Sequence, residues 1–93
     1  MLVAELLLET LEELRQDDFE KLKWYLSMNA SAGYKPIPPS QLETASRLVT
    51  VSKIIESNGE EKAVNVTAEI LKRMNNNDAA KRLMNKYAGA VNL

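Results

Sequence analysis

Apolar positions recur along most of this chain at helical spacing. From Leu2 to Leu14, Leu7, Leu11 and Leu14 fall at i, i+4 and i+7, while Glu5, Glu9, Glu12 and Glu13 fill the remaining arc. Arg15-Gln16 forms a short break. Asp17 then suits an N-cap, with Glu20 three residues on as the reciprocal partner of a capping box. A second helix is expected to about Ser27, with Phe19, Leu22 and Leu26 inward. Lys21 faces away from that stripe and Lys23 lies at its edge.

Met28 to Pro39 reads as a long connection rich in Ser, Ala, Gly and Pro, with Tyr34 and Ile37 as its anchors into the core. Links between bundled helices usually run ~2–8 residues, so this one should cross an end of the bundle. Ser40-Gln41-Leu42-Glu43 is a second capping-box pattern, predicting a short third helix. A fourth is expected from about Ala45 to Ser57, with Leu48, Val51 and Ile55 inward, stopped by Asn58-Gly59. Glu60-Glu61 open a fifth helix to about Met74, with Ala63, Val66, Thr67, Ile70, Leu71 and Met74 as its stripe; acids at its start and Lys72-Arg73 at its end suit the helix dipole. Asn75-Asn76-Asn77-Asp78 should stop it and cap a sixth helix from Ala79 to about Tyr87, burying Ala80, Leu83 and Tyr87. No period-2 alternation with hairpin signals occurs. The expected architecture is all-α: six antiparallel helices, the third short, in one domain over residues 1–88. Residues 89–93 read as a tail or the start of a linker.

Composition agrees. A chain of 93 residues with 45% hydrophobic and 27% charged residues is large enough for one core and far from the disordered class. There is no Cys and no His, which excludes disulfides, thiolate metal sites and the commonest general base. Glu5 and Glu9 interrupt the first apolar run and no basic segment precedes it, so a signal peptide is not expected. No stretch approaches the ~20 apolar residues of a membrane span. Two Asn-x-Ser/Thr sequons, at Asn29 and Asn65, read as chance matches. A cytoplasmic home is expected.

Net charge is −1, yet it is unevenly spread. Residues 1–20 carry seven acids and one base; residues 72–86 carry five bases (Lys72, Arg73, Lys81, Arg82, Lys86) and one acid. Taken at face value, one end of the chain is acidic and the other basic. Such a body could dock head to tail on a complementary surface, and heterologous contacts of that kind can propagate into filaments.

Catalysis has little to stand on. Glu12-Glu13, Asp17-Asp18 and Glu60-Glu61 are adjacent pairs that diverge by ~100° on a helix and do not converge on one substrate. Gly33, Gly59 and Gly89 are isolated, so no phosphate loop exists. No cofactor or metal is expected. The alternative to protein docking is a small helical nucleic-acid-binding domain using Lys72, Arg73, Lys81, Arg82 and Lys86. A sequence pI near 5.5 and an acidic first helix weigh against it.

One family fits the order of these motifs. Leu7-Leu8-x-x-Leu11-Glu12-x-Leu14, then Phe19-x-Lys21-Leu22-Lys23-x-x-Leu26, resembles the opening of pyrin domains. The resemblance continues through Gly33-Tyr34-x-x-Ile37-Pro38, Leu42, Leu48-Val49, Ile54-Ile55 and Ala63-Val64-x-Val66-Thr67-x-x-Ile70-Leu71-x-x-Met74, to Asn77, Ala80 and Leu83. It implies a death-fold six-helix bundle, at the N-terminus of a NOD-like receptor. It implies homotypic contact with other pyrin domains, the inflammasome adaptor among them, and filaments that lead to caspase-1 activation. The family's main contact joins acidic positions on helices 1 and 4 to basic positions on helices 2 and 3. By position, Glu9 and Glu12 match the acidic side and Lys21 and Lys23 the basic side. The chain departs from the pattern at Glu20, where a Lys is usual, at Pro36 and Pro39, where bases flank the Ile-Pro step, and at Ser46 and Ser52, where acids are frequent.

The candidate docking set is therefore Glu9, Glu12, Glu13, Lys21, Lys23, Trp24 and Arg47. Trp24 lies nearly opposite Phe19, Leu22 and Leu26. It either packs under the long connection near Tyr34 and Ile37 or stands exposed as an aromatic anchor.

Overall fold

The computed structural model describes residues 3–28 and 34–91. Expectations placed on Leu2, on the Asn29 sequon, on Ser31-Ala32-Gly33 and on residues 92–93 lie outside the described residues. Six helices follow in order: α1 (Val3–Glu12), α2 (Gln16–Leu26), α3 (Pro39–Leu42), α4 (Arg47–Asn58), α5 (Glu60–Arg73) and α6 (Asn77–Val91). The described residues contain no strand.

The core assembles around α5, which touches α1, α2, α4 and α6. Ala63, Val64, Val66, Thr67, Ala68, Ile70 and Leu71 are all buried, wider than the single stripe expected of it. Leu7, Leu11, Leu22, Leu26, Ile37, Val51, Ile54 and Leu83 close on it from the other elements. The fifth helix stops by backbone geometry. Asn75 adopts φ 63, its N–H reaches Lys72 O at 3.0 Å, and Asn76 N–H reaches Leu71 O at 2.8 Å. This is the left-handed closure that favours Asn or Gly.

The long connection is stitched to the end of α2. Tyr34 and Ile37 are buried, as expected. Ile37 N donates to Leu26 O at 2.9 Å, and the Tyr34 hydroxyl points at the carbonyls of Tyr25 (3.1 Å) and Leu26. Lys35 N donates to Asn58 Oδ1 at 3.0 Å, tying the same segment to the end of α4. Burial pushes the Tyr34 phenol up to about 12.

Several local expectations are corrected. The second helix begins at Gln16, with Arg15 as its uncapped N-cap. Phe19 N already bonds Arg15 O at 2.9 Å, so Asp17 sits inside the first turn and no capping box forms. Glu20 is instead taken by Gln16 Nε2, at 2.7 Å, and by Lys23, at 3.5 Å. Pro39 occupies the first turn of α3, where its fixed φ suits a helix start, which leaves Ser40 within the helix and not at its cap. The α4 cap is Ser46, whose Oγ accepts from Val49 N at 3.2 Å. That cap starts the helix at Arg47, later than expected, and turns Thr50, Val51 and Ile54 inward. Leu48, expected in the core, is 58% exposed. The sixth helix runs past Tyr87 through Ala88, Gly89 and Ala90 to Val91.

Candidate protein-docking surface

Folding brings the acidic and basic ends of the chain together. α1 packs beside α6, and Arg82 Nη1 lies 2.6 Å from Glu13 Oε1 while Lys86 Nζ lies 3.1 Å from Glu9 Oε1. Arg82 also reaches Asp78 at 3.2 Å. The charge separation of the sequence is thus partly cancelled within the molecule. Glu9 and Glu13 face internal partners, and two of the five cations proposed for nucleic-acid contact are occupied.

Glu12, between them on α1, is exposed and makes no ion pair among the described residues. Lys21 on α2 is likewise exposed and unpaired among the described residues. These two candidates are available.

Lys23 and Arg47 are placed differently from what their charge suggests. Phe19, Leu22, Lys23 and Leu26 share the i, i+3, i+4, i+7 spacing of the buried face of α2, and Lys23 is 7% exposed. Its ammonium donates to Ala45 O at 3.2 Å. Arg47, Thr50, Val51 and Ile54 share the same spacing on α4. The Arg47 guanidinium crosses to α1, with Nε 2.7 Å from Leu11 O and Nη2 2.9 Å from Leu14 O. It thereby adds a second donor to Leu11 O, which already accepts from Leu14 N at 3.2 Å, and a donor to Leu14 O just past the end of α1. Both cations serve the fold, so neither belongs to an open basic face. Helical periodicity with the charged residues counted in the stripe would have located them.

Among the described residues, the large apolar side chains left exposed are Trp24 (57%), Met28 (41%), Leu48 and Val49 (43%). Burial of Trp24 beneath the connection is therefore corrected: its indole stands out from α2, edge-on to Tyr25 at 5.1 Å. Leu48 and Val49 were not in the candidate set, because the expected phase of α4 put Leu48 inside.

Two adjoining clefts open between these residues. One, about 550 Å³, runs from Leu8 and Glu12 to Ser46 and Leu48. The other, about 410 Å³, lies between α2 and α3, with Trp24, Pro39 and Leu42 as its apolar walls. Glu20, Lys23 and Glu43 line both. Both clefts are shallow, partly apolar and rimmed by carboxylates, and no group of acids among the described residues could hold a metal ion.

Known proteins share this fold. The family model described as PAAD/DAPIN/Pyrin domain matches residues 6–81. The chain belongs to the pyrin-domain family. Mouse Pyrin is 38% identical over 78 residues, which cover 83% of this chain and 10% of that protein. Human NACHT, LRR and PYD domains-containing protein 10 is 39% identical over 72 residues, covering 76% of this chain and 11% of that protein. Zebrafish Caspase b is 28% identical over 81 residues, covering 87% of this chain and 20% of that protein. This chain therefore spans about a tenth to a fifth of their lengths. The solution structure of the pyrin domain of human Pyrin superposes with a TM-score of 0.79 at 32% identity, over 99% of this chain and all of that one. The all-helical death fold expected from the motif order is thus the fold of this pyrin domain, and its relatives use the module in several larger proteins.

Proposed function

We propose that this pyrin domain docks onto pyrin domains of other proteins, the inflammasome adaptor among them, as the N-terminal module of a cytoplasmic NOD-like receptor. Glu12 and Lys21 are the charges that make the contact. The observation behind this reading is their freedom: Glu9, Glu13, Lys23 and Arg47 all face partners within the chain, whereas Glu12 and Lys21 are exposed and unpaired among the described residues. Acid and base sit on different helices, so the contact is heterologous and can repeat along a filament. No catalytic step enters this role.

Charge reversal tests it. Glu12→Lys and Lys21→Glu should each weaken binding to a partner pyrin domain, and raised salt should weaken it further, because exposed charges are screened within ~8–10 Å at physiological ionic strength. Unchanged binding in both single variants would overturn the charge-pair mechanism.

A further inference from the structure

The groove between α2 and α3 has apolar walls and an acidic rim, and the cation inside it pairs with only one of the two rim carboxylates. Trp24, Pro39 and Leu42 supply the walls, and Glu20 and Glu43 the carboxylates. Lys23 also lines the groove, its side chain only 8% exposed. Its ammonium lies 3.5 Å from Glu20 Oε2 and also meets Ala45 O and the face of Phe19, which leaves Glu43 as the rim carboxylate with no ion pair among the described residues. An open indole sharing the groove with this unpaired Glu43 carboxylate suits a guanidinium, which stacks on an aromatic face while its N–H groups fork to carboxylate oxygens. A groove of about 410 Å³ also leaves room for an apolar neighbour of that side chain.

A second copy of the chain is a poor occupant. Among the described residues, the large exposed apolar side chains outside this groove are Met28, next to it on α2, and Leu48 with Val49 on α4. Leu48 is itself flanked by Glu12 and Glu43 across the neighbouring cleft. Bringing it to the groove would set those carboxylates against Glu20 and Glu43, and like charges brought together oppose docking. The basic corner at Lys72, Arg73 and Lys81 offers no exposed large apolar anchor to go with its charge.

We infer that the Trp24 groove receives an arginine-bearing apolar segment from a different chain. The inference rests on the docking role above and names the chemistry of the partner.

Trp24 is the one tryptophan of the chain, so its fluorescence reports on this groove alone. The probe is a synthetic helical peptide with leucines at i, i+3, i+4 and i+7 and arginines beside them, titrated into the intact domain. A saturable change in Trp24 emission is expected, lost when the arginines become glutamines. The Glu20→Gln/Glu43→Lys pair should weaken binding about tenfold, whereas Glu60→Gln/Glu61→Lys, the same charge change at the start of α5, should stay within about twofold. Equal binding of the glutamine peptide, equal loss in both double variants, or no saturable change would overturn the inference. So would an emission change that grows with concentration of the domain alone, which would assign the groove to a second copy. Failure of the docking role reads out separately, as undiminished pyrin-domain binding in Glu12→Lys and Lys21→Glu, neither of which lines this groove.

Discussion

Lys23 and Arg47 meet at one ring: the Lys23 ammonium and the Arg47 guanidinium each lie 4.7 Å from the centroid of Phe19. Through this contact α2 holds the α3–α4 connection, by Lys23 and Ala45, and the end of α1, by Arg47 and the carbonyls of Leu11 and Leu14. Two residues that look like docking cations are thereby part of the frame that shapes the docking face.

Phe19 should therefore matter beyond its volume. Replacing it with Leu keeps an apolar side chain but removes the face that both cations use, and a partly desolvated cation–π contact contributes about 1–2 kcal/mol. Urea denaturation of Phe19→Leu should show a loss of at least that size. Arg47→Lys should be similarly destabilised, because an ammonium cannot span two carbonyls as the guanidinium does.

The pairs between α1 and α6 should contribute little. Both Glu13–Arg82 and Glu9–Lys86 are about half exposed, and such pairs contribute ~0–1 kcal/mol. Thermal melts of Arg82→Gln and Lys86→Gln should shift only slightly, and the shift should shrink in high salt.

Thr50 points the other way. Its hydroxyl is fully buried on α4 and has no hydrogen-bond partner among the described residues. Thr50→Val keeps the shape and removes an unsatisfied polar atom, so it should be neutral or stabilising by up to ~1 kcal/mol in denaturant titration.

Tyr34 couples the fold to high pH. Its phenol ionises near 10.0 in the unfolded chain and is pushed up to about 12 in the folded one. The folded state holds the proton more tightly, so this contribution to stability is complete below pH ~10 and is lost as pH rises from about 10 towards 12. In a spectroscopic pH titration, Tyr34 should ionise late, together with loss of helical signal, and Tyr34→Phe should abolish that late step.

Six helices, their order and the anchors Tyr34 and Ile37 were legible in the sequence, because leucine and isoleucine spacing reports burial directly. The phase of α4 was not. Its buried stripe begins with Arg47, and a stripe read from apolar residues alone slides to Leu48, although Ile55 does pack, half-buried, against the core as expected. Lys23 hid the same way on α2. The helix starts were misplaced because Asp17 and Ser40 carry cap chemistry but sit one or two residues inside helices that begin earlier. The charge split along the chain was real as a count, yet chain order says nothing about which helices become neighbours. Only the packing of α1 against α6 shows that Glu9 and Glu13 are met by Lys86 and Arg82, and that Glu12 is left over.

That difference among three neighbouring glutamates is the most direct test. Glu9→Gln, Glu12→Gln and Glu13→Gln each remove one negative charge from α1 or the turn that follows it, and binding of each to a partner pyrin domain can be measured by titration calorimetry. Glu12→Gln should weaken binding about tenfold, while Glu9→Gln and Glu13→Gln stay within about twofold. Equal weakening in all three, or none in Glu12→Gln, would contradict the account.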